Sequence, residues 1–223
     1  ATVLMLLLFG FACLVGYILH AAHTKDPLFS LKIFKHRTFS VGLLGNLFAR
    51  IGSSSMPFLI PIFLQVSLGY TPMQAGLIMI PVAAASIFVK QIATGLIARF
   101  GYRRFLLVNT LTVGVLITTF ALIKHDQPLW IRLLQLTYFG GVQSLQFTVM
   151  NSLTLKDLNE SNASAGNSLF SMVQMLAMSF GVAIAGALLA SFSHALGDQV
   201  GGGMQSLDAF HATFICVGFI TCV

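Results

Sequence analysis

Charge is what this chain has least of. Of its 223 residues only 8% are Asp, Glu, Lys or Arg, while 57% are hydrophobic and the mean hydropathy is +0.89. A soluble domain carries about 25% charged residues, so too little polar surface is present for a fold that stands in water. Cysteine is scarce as well: Cys13, Cys216 and Cys222 all lie in apolar runs, with no CxxC or zinc-type spacing. That pattern argues against a disulfide framework or a thiolate metal site, and the three read as small hydrophobes. Acids are absent where they would matter most. Asp26, Asp126, Asp157, Glu160, Asp198 and Asp208 all fall in connections or at helix ends, and the six histidines lie at or near helix ends. No membrane-embedded carboxylate is therefore present to carry a proton or sodium ion, and no span holds a nucleophile–base pair or a metal cluster. An enzyme is not expected, nor a metal, nor a bound cofactor.

What the chain does have is long apolar runs, at roughly 1–22, 39–66, 72–98, 105–123, 129–153, 163–192 and 208–223. At about 1.5 Å rise per residue, about 20 residues cross a hydrocarbon core of about 30 Å. The alternating ten-residue strands of a membrane barrel are missing. The expected fold class is all-α and integral to the membrane. The first run has no basic stretch before it and is not read as a signal peptide. Runs already under way at Ala1 and Val223 suggest a piece of a longer protein.

Basic residues set the expected topology. The connections after the first, third and fifth runs carry Lys25, Lys32, Lys35, Arg37, Arg99, Arg103, Arg104 and Lys156, against only Lys124 and Arg132 in the others. By the positive-inside rule, loops 23–38, 99–104 and 154–162 face the cytoplasm, with Tyr70 and Trp130 at the opposite interface. The net charge of +6 is thereby a topology signal, and no basic domain exists to bind nucleic acid. Within 23–38, Leu28, Leu31 and Phe34 beside Lys32, Lys35 and Arg37 suggest a short amphipathic helix on the membrane surface.

Polar residues inside the runs form stripes. Asn46, Arg50, Ser53, Pro57 and Pro61 fall within a wedge of roughly 80°, with Gln65 at its edge. The fifth run places Gly140, Gln143 and Gln146 together, the sixth Asn167, Ser171, Gln174 and Met178, and the third Ser86, Lys90 and Thr94. The fourth has only Asn109 and scattered threonines and is expected to be largely lipid-facing. Arg50 lies roughly 18 Å into its helix, where a cation costs about 2.5 to 3.5 kcal/mol on insertion scales. Either it pins neighbouring helices through carbonyls or it serves a water-filled cavity. Pro57, Pro61 and Pro81 free carbonyls that lipid cannot satisfy, which suggests bent helices. Ala177, Gly181 and Ala185 form a ridge for close packing. Met172, Met175 and Met178 either line a pocket or fill a core.

The run LFSLKIFKHRTFSVGLLGNLFARIGSSSMPFLIPIFLQVSLGYTPMQAGLIMIP resembles the major facilitator superfamily, in its branch of fourteen-span drug:proton antiporters. GLIARFGYRR and MNSLTLKDLNESNASAGNSLFSMVQMLAMSFGVAIAG carry the resemblance further. It implies a linker transmembrane helix at 1–22, a cytoplasmic connection at 23–38, and a C-terminal six-helix bundle at 39–223 built of two inverted three-helix repeats. It implies proton-coupled export of drugs or other small amphiphiles by alternating access, driven by the proton gradient across a bacterial inner membrane. The partners so implied are a small-molecule substrate, the lipid bilayer and the N-terminal half of the same transporter. Asn46, Arg50, Gln65, Gln143, Gln146, Asn167 and Gln174 are then expected to line the cavity. GLIARFGYRR resembles the family's cytoplasmic gating motif through Arg99, Gly101, Arg103 and Arg104, with Ala98 where the family has an aspartate. The rival expectation is a scaffold or sensor that keeps the transporter fold without moving solute.

Overall fold

A computed structural model describes residues 2–23, 37–124, 126–155, 160–197 and 204–222. Only helices and short connections occur among them. They are α1 (Thr2–His23), α2 (Arg37–Ser53), α3 (Met56–Ile62), α4 (Pro72–Phe100), α5 (Tyr102–Thr119), α6 (Leu129–Leu155), α7 (Glu160–Gly197) and α8 (Met204–Cys222). A π-helical stretch, Phe63–Ser67, continues α3, and a 3-10 turn, Phe120–Leu122, ends α5. The expected amphipathic helix within 23–38 lies almost wholly outside the described residues, as does most of the connection between α6 and α7.

Local chemistry explains where these helices start and stop. Thr71 caps α4 reciprocally: its hydroxyl accepts from the Gln74 N–H at 3.3 Å, and the Gln74 side chain accepts from the Thr71 N–H at 3.0 Å. Pro72 follows at the first helical position, where no N–H is needed. At the other end α4 turns into α5 through one residue. Gly101 adopts φ 74° and donates its N–H to the Ile97 carbonyl at 2.9 Å, a backbone state that a side chain would strain.

The second apolar run, expected as one span bent by its prolines, is broken before them. Ser54 and Ser55 form a turn between α2 and α3, and Pro57 sits harmlessly at the start of α3. Serine hydroxyls stabilise the break by bonding backwards: Ser53 donates to the Ala49 carbonyl at 3.0 Å and Ser55 to the Gly52 carbonyl at 2.6 Å. Beyond Pro61 the ladder loosens to π spacing, with the Leu68 N–H reaching the Phe63 carbonyl at 3.3 Å. Pro81, by contrast, leaves α4 continuous.

Stretches Ser40–Ser67, Pro72–Ala93, Tyr102–Leu122 and Ser164–Ala195 are long and apolar enough to cross a membrane. α6 is long enough too, at about 40 Å, and carries buried polar residues where it meets other helices. It packs on α4, α5 and α2, and Arg132, Ser144, Gln146 and Thr154 are buried along it.

Pairing of the six helical units from α2 to α8 is two-fold. Counting α2–α3 as the first unit, α4 lies on α6 as α7 lies on α2, and α5 meets α6 as α8 meets α2. Of the other contacts, α5 with α8 and α2 with α6 map onto themselves, and the extensive contact of α7 with α8 maps onto a slighter one of α4 with α5. Exchanging the first three units for the last three therefore preserves the main helix pairings, in keeping with two inverted three-helix repeats. Small residues permit the closest crossings. A Cβ on Gly140 of α6 would stand 2.8 Å from the Val82 carbonyl of α4, and one on Gly181 of α7 would stand 2.5 Å from the Ile51 carbonyl of α2. Ala177 and Ala185, fully buried beside Gly181, complete the ridge expected there.

The fourth run, expected to be largely lipid-facing, exposes much of its surface but also has a buried face. One face of α5 buries Asn109, Val113 and Ile117 against α6 and α8, and its opposite face exposes Leu107, Leu111 and Val115. At the end away from Gly101, Phe63, Phe120, Phe139, Phe210 and Phe214 form an aromatic cluster, with Phe63 edge-on to Phe214 at 5.3 Å and Phe120 edge-on to Phe139 at 5.5 Å. Arg132 ties the connections at that end, donating to the Tyr70 hydroxyl and the Lys124 carbonyl, both at 2.9 Å. Trp130 beside it is exposed.

Candidate functional site

A cavity of about 370 Å³ lies between α2–α3, α4 and α6. From the first unit come Arg50, Ser53, Pro57 and Ile60; from α4 come Met79, Val82, Ser86 and Lys90; and α6 adds Gly140, Gln143, Gln146 and Phe147 among others. The α4 and α6 walls are locked together by hydroxyls. Ser86 donates to the Gly140 carbonyl at 3.1 Å, and Ser144 donates to the Ser86 carbonyl at 2.8 Å. Gly140 makes this approach possible by having no side chain to insert between the helices.

Arg50 is 9% exposed. Its guanidinium carbon lies 4.2 Å from the centre of the Phe147 ring, close enough for attraction by the ring's electron-rich face. Nε and Nη2 have no hydrogen-bond partner. The lining holds a second cation, Lys90, and no acid.

Gln143 and Gln146 each have one end occupied. The Gln143 amide nitrogen donates to the Ser53 carbonyl at 3.3 Å, a carbonyl whose α-helical donor would be the N–H that Pro57 lacks. The Gln146 amide nitrogen donates to the Thr110 hydroxyl at 3.2 Å. Both amide oxygens are buried and unpartnered. The two glutamines thus offer acceptors, while the two cations offer donors.

The other residues expected in a cavity lie elsewhere. Asn46 is fully buried one turn before Arg50, and neither its amide oxygen nor its nitrogen has a partner, but it is not in the lining. Gln65 donates to the Pro61 carbonyl of its own helix at 3.1 Å. Gln174 donates to the Asn151 side chain at 2.9 Å, joining α7 to α6. Asn167 is exposed: the buried line of α7 runs through Gly166, Phe170, Ala177 and Ala185, and Asn167 stands one residue, or about 100°, off Gly166. Met172 and Met175 line a separate groove with Cys13 and Tyr17 of α1. Sequence reasoning missed Phe147, although it stands one turn beyond Gln143, and it missed the Ser86–Ser144 lock. Around the single-residue turn, Arg99, Gly101, Arg103 and Arg104 are exposed.

A model of the Major Facilitator Superfamily matches residues 1–182. The chain is also similar to proteins carrying the name "Putative multidrug resistance protein MdtD". That of Serratia proteamaculans (strain 568) is 46% identical over 206 residues, 92% of this chain and 42% of that protein. The Pectobacterium atrosepticum protein is 44% identical over 188 residues, covering 84% of this chain and 40% of its own length. For Escherichia coli (strain SMS-3-5 / SECEC) the figures are 44% over 213 residues, 95% and 44%. The chain spans about two fifths of the length of these curated relatives.

Proposed function

The chain belongs to the major facilitator superfamily, and from that premise we propose that it is the C-terminal half of a multidrug-type exporter. The observation that carries the proposal is the cavity between α2–α3, α4 and α6, in which a buried cation and two half-paired amides meet apolar walls. An unpaired polar group deep in a membrane bundle costs free energy unless it meets water or solute. Aromatic and methionine walls accept varied apolar shapes, and the polar groups orient them.

In this reading α1 is a linker helix before the bundle, and an N-terminal half of the same transporter supplies the facing wall. The half-sites open alternately to either side of a bacterial inner membrane, and protons flow inward as substrate leaves. Arg99, Gly101, Arg103 and Arg104 then form the cytoplasmic turn against which the halves rock. No cofactor is needed beyond the proton gradient. The test is proton flux in proteoliposomes of the full-length protein. Added amphiphilic drugs are expected to stimulate flux, and Arg50→Gln is expected to reduce it about tenfold or more at unchanged insertion. Drug-independent flux with an unaffected Arg50→Gln protein would instead point to a scaffold or sensor.

A further inference from the structure

The free hydrogen-bonding groups of the cavity have a definite pattern. Arg50 presents Nε and Nη2 without partners while nine-tenths buried, and Lys90 adds an ammonium to the same lining. No residue of that lining is acidic. Arg50 is buried and costly to desolvate, Lys90 adds an exposed like charge to the same lining, and an anion drawn to both offsets that cost. Gln143 and Gln146 spend their N–H groups on Ser53 and Thr110 and leave their oxygens unpartnered. Those oxygens can be satisfied only by a donor.

Resting on the transporter reading, we infer that this half-site binds an amphiphilic anion: an aryl or alkyl acid whose acidic group meets Arg50 and Lys90. Its ring or chain lies along Met79, Phe139 and Phe147, and it carries an O–H or N–H that donates to Gln143 or Gln146. A simple lipophilic cation is disfavoured here, because its charge would face two others. A planar guanidinium suits either a carboxylate or a phosphate monoester.

The test is equilibrium binding to the purified full-length transporter with a matched series: 4-hydroxyphenylacetate, phenylacetate, 4-hydroxyphenylacetamide, tyramine and phenyl phosphate. The hydroxy acid is expected to bind tightest, with the amide and tyramine weaker by about tenfold or more. Loss of the hydroxyl should cost about fivefold. Lys90→Gln, at an exposed side chain, and Arg50→Gln are each expected to erase the acid-over-amide preference. Arg50→Lys should retain part of it. Gln143→Leu with Gln146→Leu should erase the preference for the hydroxyl and leave that for the acid. Phenyl phosphate binding above phenylacetate assigns the anion to the phosphate class, and the reverse assigns it to carboxylates. Tyramine or the amide binding as well as the acid, no binding across the series, or an acid preference that survives both charge removals would each overturn the inference. Drug-stimulated proton flux alongside any of these results would leave the transporter reading standing, and absence of both would remove it.

Discussion

Arg50 and Asn46 stand one turn apart on α2, and both hold buried polar atoms with no partner. A buried unsatisfied group costs about 1 to 3 kcal/mol, so a fold selected for stability alone would place leucine at 46. Asn46→Leu is expected to raise the melting temperature of the full-length protein in detergent and to lower its transport rate. A fall in stability would show that the amide holds the fold. Phe147 tests the surroundings of Arg50. Phe147→Leu keeps apolar bulk and removes the aromatic face, with a cation–π contact of about 1 to 2 kcal/mol at stake. Transport should fall several-fold in that variant, and Phe147→Tyr should retain it. Arg50, Gln143 and Gln146 were legible because polar residues repeat at helical spacing inside apolar runs. Phe147 was not, since an aromatic residue among so many leaves no periodic trace.

Serine hydroxyls and a proline together shape the broken second span. Ser53 and Ser55 bond back to Ala49 and Gly52, and Pro57 supplies no N–H, so the Ser53 carbonyl is left for Gln143. Pro57→Ala restores an N–H that competes for that carbonyl. Gln143 is then expected to lose its anchor, with impaired transport but normal membrane insertion, as read by flux and surface labelling on one preparation. Prolines were visible in the sequence, yet the break at Ser54–Ser55, ahead of them, was not. Whether a serine bends its helix depends on which way its hydroxyl turns, and several rotamers bond locally. The polar stripe of α7 was equally ambiguous: helical spacing groups Asn167 with Gln174, but packing on α2 leaves Asn167 exposed.

For the whole molecule, the two-fold exchange of helix contacts makes the bundle a pair of repeats, and charge orients it. Arg99, Arg103 and Arg104 cluster at one end, with Tyr70, Trp130 and Arg132 at the other. In a version of the full-length protein with its native cysteines replaced, a cysteine at Arg103 is expected to label only after the membrane is permeabilised. One at Trp130 should label once the reagent has access to the outer face alone. The reverse result would invert the topology. Amino-acid order alone was enough for an all-helical membrane chain, its approximate spans and the end that bears the positive charge, because hydropathy and loop charge act locally along the chain. Which polar residues share a space was settled by packing. Only the crossing of α4 on α6, permitted by Gly140 and locked by Ser86 and Ser144, brings Lys90 into the same lining as Arg50. That crossing joins residues 54 and 58 positions apart in the chain, beyond the reach of any local spacing rule.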